Sequence, residues 1–207
     1  GIFATFEIKI KEKKMLIRNY TQSDEQGWLR CRVLSFLNTA YYDNVLKEKE
    51  VYENPSIELV AIMDNQVVGL IDIEYETEPK SVCTSKDSLG GMIWHIAVHP
   101  DYQRKGIGEK LLEAGIEEAK NFNLTYLEAW TRDDVWVQTW YEKMNFEQTT
   151  SYYHLYLEGN EIKSLSISKR TSFYPVTVFA HYTGNDIEEF ESLKRKHLCV
   201  CYVKEVL

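Results

Sequence analysis

No apolar run in the 207-residue sequence approaches the roughly 20 residues that a membrane-spanning helix needs, so no membrane segment is expected. Cationic charge is also short: 24 Lys and Arg stand against 32 Asp and Glu, a formal net charge of -8. That balance argues against a nucleic-acid backbone as the main partner, because phosphate recognition draws on an excess of cations. Cysteines number four, and no two stand in C-x-x-C spacing. Cys199 and Cys201 would share one face of a strand, where neighbouring side chains rarely meet disulfide geometry. Buried free thiols and a cytoplasmic setting are the expectation. No H-E-x-x-H motif and no G-x-S-x-G elbow occur, and no metal ligand set is expected. The opening GIFATFEIKIKEKK carries its charges after the apolar stretch, the reverse of a secretory signal.

Hydrophobic residues make up 44% and charged residues 27%, the composition of one packed globular domain with an appendage. Residues 1–14 are set aside as an extension, 15–170 as the main domain, and 171–207 as a strand–helix–strand appendage. LIRNY reads as a strand, and Ser23 with Gln26 as a capping box for a helix carrying Trp28, Cys31, Leu34 and Leu37. YYDNVLKEKEVYE reads as a second, polar helical stretch. IELVAIMDNQVVGLIDIEYE reads as two strands turning at Asp64-Asn65. MIWHIAVHP is apolar on both faces and reads as a central strand ended by Pro100. A helix and the strand LTYLEAW follow, which implies parallel neighbours. Asp133 or Asp134 would cap the next helix, with Trp136, Trp140 and Met144 on one stripe. EQTTSYYHLYLE and EIKSLSIS read as antiparallel strands. In the tail, DIEEFESLKRKH reads as a helix between YPVTVFAHY and LCVCYVKEVL. The order predicts an α/β (mixed α+β) fold.

The most specific signal is QRKGIG, Gln103 to Gly108, which follows a strand and opens a helix. It is no P-loop, since Gly108 is followed by Glu109-Lys110-Leu111, and no dinucleotide fingerprint, since Leu111 replaces the third glycine. Glycines at a helix start let backbone amides approach an anion, and Arg104 and Lys105 add charge. Q-x-x-G-x-G in this setting resembles the GNAT superfamily of N-acetyltransferases. WYEKMNF, residues 140–146, resembles the same family's F-Y-E-K-x-G-F, with Asn145 where glycine is usual. The resemblance covers about residues 15–168 and leaves the tail outside.

The resemblance implies a central, mostly antiparallel sheet flanked by helices, and direct acetyl transfer from acetyl-CoA to a primary amine. It implies that Ile96, Ala97, Val98, Gln103, Arg104, Lys105, Gly106, Ile107, Gly108, Asp134 and Tyr141 meet the cosubstrate. Tyr141 corresponds to the family's general acid, and a strand amide near Val98 to its oxyanion donor. Glu128, His95 and Glu74 are candidates for the base or its surroundings, beside a water chain. Tyr41, Tyr42, Asp43 and Glu74 are candidate acceptor contacts. The acceptor is a small-molecule amine or a protein or peptide amine, with no nucleic acid and no membrane involved. The apolar tail strands must pack on the core or on a second subunit, which leaves a homodimer open. The competing reading is a non-catalytic acyl-CoA-binding sensor on the same fold.

Overall fold

The computed structural model describes residues 5–10, 13–165 and 174–206. Nine strands form one sheet: β1 (Thr5–Ile10), β2 (Lys13–Asn19), β3 (Ser56–Met63), β4 (Gln66–Tyr75), β5 (Gly90–Val98), β6 (Tyr126–Thr131), β7 (Glu147–Glu158), β8 (Thr177–Tyr182) and β9 (Arg195–Glu205). Their spatial order is β1-β2-β3-β4-β5-β6-β9-β7-β8. Neighbours are antiparallel except β5 and β6, the parallel pair that the strand–helix–strand order predicted. Among the described residues three α-helices flank the sheet: α1 (Glu25–Phe36), α2 (Ile107–Asn121) and α3 (Val135–Lys143). No helix among the described residues is long and apolar enough to cross a membrane.

The sheet separates two cores. On one face, Ile71 and Ile73 of β4 pack with Leu111 and Leu112 of α2, Tyr141 of α3 and Tyr202 of β9. On the other, Val60 and Leu70 pack with Trp28 and Cys31 of α1. The β3–β4 hairpin turns at Asp64-Asn65, both at positive φ (51° and 58°), the mirror-image turn that suits strand twist.

Two features of β5 create the site. A bulge opposite Asp72/Ile73 takes Trp94 out of register, so His95 and Ala97 shift to the α1 face while Ile96 and Val98 turn to the α2–α3 face. The β5–β6 ladder then runs from Gly90↔Tyr126 only to Ile93↔Ala129. Beyond it the two strands part, and a gap opens through the sheet.

Several elements differ from the sequence expectation. Thr21 and Asp24, not Ser23 and Gln26, form the capping box before α1, where Asp24 also holds Arg18 at 2.7 Å. The buried face of α1 carries Arg32 and Ser35 beside Trp28 and Cys31, while Leu34 and Leu37 are exposed. Residues 41–53 form turns, not a helix. Residues 159–164 form a 3-10 turn where a strand was expected, and the rest of EIKSLSIS lies largely outside the described residues. The tail helix shrinks to a 3-10 turn at Ile187–Phe190, because Arg195–His197 are drawn into β9 by pairing with β7. β9 itself lies inside the sheet, between β6 and β7.

Candidate functional site

One cleft of about 2420 Å³ runs through the β5–β6 gap and opens on both faces of the sheet. On the α2–α3 face its wall is the turn after Pro100. Arg104 at φ +58° and Gly106 at φ +76° are both left-handed, and Gly106 caps α2 without a side-chain partner. The N–H groups of Ile107, Gly108 and Glu109 are the unbonded first turn of a helix and carry its positive dipole end. A Cβ at Gly106 would meet no atom within 4 Å, and one at Gly108 would already touch Trp140 at 3.5 Å and Val98 at 3.6 Å. A helix start lined by glycine, with free amides and open space at Gly106, fits a pyrophosphate. Gln103 braces it by donating to Val98 O at 3.1 Å. Arg104 lines the cleft, whereas Lys105 turns away to Asp101 O, 3.2 Å distant, and over the Tyr102 ring.

The gap supplies hydrogen-bonding backbone. His99 N–H reaches Val68 O at 2.9 Å, so ladder alternation turns the polar groups of Ile96 and Val98 away from β4 and toward the gap. Tyr141 lies on the same face, 4% exposed, its ring stacked on Tyr202 at 5.4 Å. Tyr141 lines the cleft, its hydroxyl bonds to none of the described residues, and burial raises its pKa above that of an ordinary phenol.

The α1 face presents a different chemistry. Arg32 Nε donates to His95 Nδ1 at 3.3 Å, which leaves the proton of neutral His95 on Nε2, pointing at Glu50. Both imidazole nitrogens are therefore engaged, and His95 has no lone pair for a substrate proton. Glu50 does: it is 44% exposed, lines the cleft, and is held below the usual carboxylate range by the His95 hydrogen bond. Sequence reasoning missed Glu50, which sits in an irregular segment with no periodic signal. The segment is pinned by buried Lys49, paired with Asp72 and Glu58 at 2.6 Å each.

The loop of residues 37–45 closes this face, clamped from several sides. Arg32 donates to Asn44 O at 2.7 Å, Arg132 to Ala40 O at 2.6 Å, and Arg195 grips Asp43 at 2.6 and 2.9 Å. Asp134 accepts from Ala40 N at 2.9 Å, so its carboxylate neither caps α3 nor faces the phosphate cradle. Of the candidate acceptor contacts, Tyr41 and Asp43 line the cleft and Tyr42 does not; its ring lies under Arg195 at 4.7 Å.

Glu128 and Glu74 also stand outside the cleft. Burial alone would push the Glu128 pKa up, yet donors from Ser85, Trp130 and Thr84 hold it ionised below its ordinary value. With its lone pairs occupied, it is a structural anchor and not a base. Glu74 is likewise saturated by Asn54 and by Trp94 Nε1 at 2.7 Å.

Beyond Trp130, side chains of β7 and β8 form a continuous wall of rings. Tyr152 lies 5.1 Å from Trp130, His181 4.7 Å from Tyr152, Phe179 5.3 Å from His181, and Tyr156 4.9 Å from Phe179. His154 stacks on His181 at 4.8 Å and accepts from Arg132 Nε at 3.0 Å. Burial first, then the neighbouring Arg132 charge, pushes the His154 pKa down to about 4.

Residues 17–146 match the profile of the Acetyltransferase (GNAT) family. Among curated proteins none matches the sequence significantly. Solved structures share the fold at low identity. The ribosomal-protein-S18-alanine N-acetyltransferase of Escherichia coli is 14% identical with a TM-score of 0.57, over 93% of this chain and 94% of that one. A probable acetyltransferase of Staphylococcus epidermidis is 11% identical with a TM-score of 0.58, over 93% and 99%. Arabidopsis thaliana NAA60, in complex with a bisubstrate analogue, is 12% identical with a TM-score of 0.55, over 92% and 97%.

Proposed function

Because the chain belongs to the GNAT acetyltransferase family, we propose that it transfers acetyl from acetyl-CoA directly to a primary amine, with no covalent enzyme intermediate. The observation that carries this reading is the gap between β5 and β6, reached from the glycine cradle and Tyr141 on one face and from Glu50 on the other. When bound, acetyl-CoA supplies an activated thioester. The cradle of Arg104 and Gly106–Glu109 holds its pyrophosphate. The free edge of β5 takes the extended arm as an added strand would be taken, and the N–H groups of Ile96 and Val98 are the donors available to a developing oxyanion.

An alkylamine has a pKa of about 10.4, so freeing it of its proton at pH 7 costs roughly 4–5 kcal/mol. Glu50, ionised and solvent-facing, gathers the ammonium, which gives one proton to water before its lone pair attacks the thioester; Glu50 then takes the second proton as the N–C bond forms and the nitrogen turns acidic. His95 and Arg32 position Glu50 and do not touch the amine. As the C–S bond breaks, the sulfur takes the Tyr141 hydroxyl proton, and the phenolate is reprotonated from water. A free thiol has a pKa of about 8.5 and a phenol about 10, so this transfer accompanies cleavage and does not precede it.

The test is thiol release from acetyl-CoA over a panel of amines, with calorimetric titration of CoA alongside. Amine-dependent thiol release with an acetylated product sustains the reading. CoA binding with no turnover of any amine would leave only a binding module.

A further inference from the structure

We propose that the acceptor is a monoamine carried on an aromatic ring, and that the ring lies on the exposed surface of Phe179, His181 and Tyr152. The proposal rests on the amine-acetylation reading above and names its substrate class.

The wall begins where chemistry would occur. Trp130 is the first β6 residue past the last β5–β6 pair, and from it the rings of Tyr152, His181, Phe179 and Tyr156 run outward without a break. An amine placed in the gap would extend its substituent along them. The β8 strand alternates strictly: Val178 and Tyr182 pack into a core beneath, while Phe179, His181 and Thr183 line the cleft. Phe179 is 49% exposed. The fold is satisfied by the inward set, so a half-exposed phenylalanine facing the cleft has surface to offer a ligand. Aromatic rings prefer one another at such spacings, in offset or edge-to-face geometry.

Charge decides how many ammonium groups the acceptor carries. The carboxylates lining this half of the cleft are Asp43, Asp134 and Glu50. Asp43 is spent on Arg195 and Asp134 on Ala40 N–H. Glu50 remains, enough for one cation. The ring wall itself holds Arg132, whose hydrogen bonds go to the neutral groups His154, Ala40 O and Tyr156 and whose charge would repel a second. A polyamine or aminoglycoside therefore finds one favourable contact and a like-charged wall, whereas an aromatic monoamine finds both a carboxylate and a stacking surface.

Binding of 2-phenylethylamine, tryptamine, butylamine and spermidine to the full chain with CoA present, measured by calorimetry, tests this. The aromatic amines should bind roughly three- to tenfold tighter than butylamine, with spermidine no tighter than butylamine. Phe179→Ala should remove that preference while leaving butylamine and CoA affinity unchanged. His181→Ala, also on the exposed face, should reduce it and guards against a folding defect in the first variant. A peptide opening on Phe, run beside the free amines, separates an N-terminal residue from a small molecule as the source of the ring. Tightest binding by spermidine, or an aromatic preference unaltered in both variants, overturns the proposal. Aromatic preference without thiol release would sustain this surface and overturn the transfer reading; thiol release with spermidine but not with the aromatic amines would do the reverse.

Discussion

Tyr141→Phe separates catalysis from packing because it removes the one group the chemistry would use and leaves the ring contacts in place. The ring stacks on Tyr202 at 5.4 Å and meets Phe146 edge-on at 5.1 Å, contacts that phenylalanine keeps in full. The hydroxyl has no hydrogen-bond partner among the described residues, so its removal strands no donor or acceptor. Because Tyr141 lines the open cleft, water can meet the hydroxyl, and the variant should be within about 1 kcal/mol of the parent in stability. Turnover should behave differently. A positioned general acid contributes roughly 10²–10⁴-fold, so the rate of thiol release should fall by that factor, equivalent to about 3–5 kcal/mol of activation free energy. CoA affinity should not move, because the cradle belongs to α2. An acetyl thioester with a more acidic leaving thiol should recover much of the loss. The assays are urea unfolding, calorimetric CoA titration and steady-state thiol release on one preparation. Turnover within twofold of the parent would refute the acid role, and so would a loss matched by weaker CoA binding or by lower stability.

Two further predictions concern the cradle and the ring wall. Gly106→Val forces a β-branched residue to φ +76°, a strain of about 1–3 kcal/mol that is relieved by abandoning the cradle, so CoA affinity should fall roughly tenfold or more; calorimetry showing the parent affinity would remove Gly106 from the site. His154 has its pKa pushed from the ordinary 6.5 down to about 4, so the unfolded chain binds the proton first as pH falls. Its contribution is complete above pH 6.5 and is lost between pH 6.5 and 4, about 2 kcal/mol of it by pH 5. His154→Gln should flatten that part of the stability profile in urea titrations at pH 7 and pH 5, and an unchanged slope would contradict the burial argument.

What the sequence revealed and what it hid divide along contact range. The Asp64-Asn65 turn, the α2 cradle and the parallel β5–β6 pair rest on local chemistry or on a strand–helix–strand order, and all were readable. Arg32 and Ser35 take the buried face of α1 beside Trp28 and Cys31, where periodicity alone pointed to Leu34 and Leu37, because their polar partners lie on other elements. Glu50 could not be found, because its place depends on distant elements: Lys49 beside it pairs with Glu58 of β3 and Asp72 of β4, and its carboxylate meets His95 of β5. The ring wall was equally hidden: Tyr152 and Phe179 become neighbours only through the β7–β8 and β7–β9 registers. Glu128 and Glu74 misled for the converse reason, since a carboxylate on a central strand looks the same whether its lone pairs are free or filled.

The position of β9 has a kinetic consequence. It is the last of the nine strands in sequence, yet it lies between two made earlier, pairing Trp130↔Cys201 on one side and Tyr153↔Leu198 on the other. Until it inserts, β6 and β7 each present an unpaired edge, and the gap-facing wall has no fixed distance from β5. Such pairing is non-local, which slows folding and leaves strand edges open to association with other chains. A chain in which β9 has not yet inserted would carry the glycine turn before α2 with no ring wall held in place across the gap.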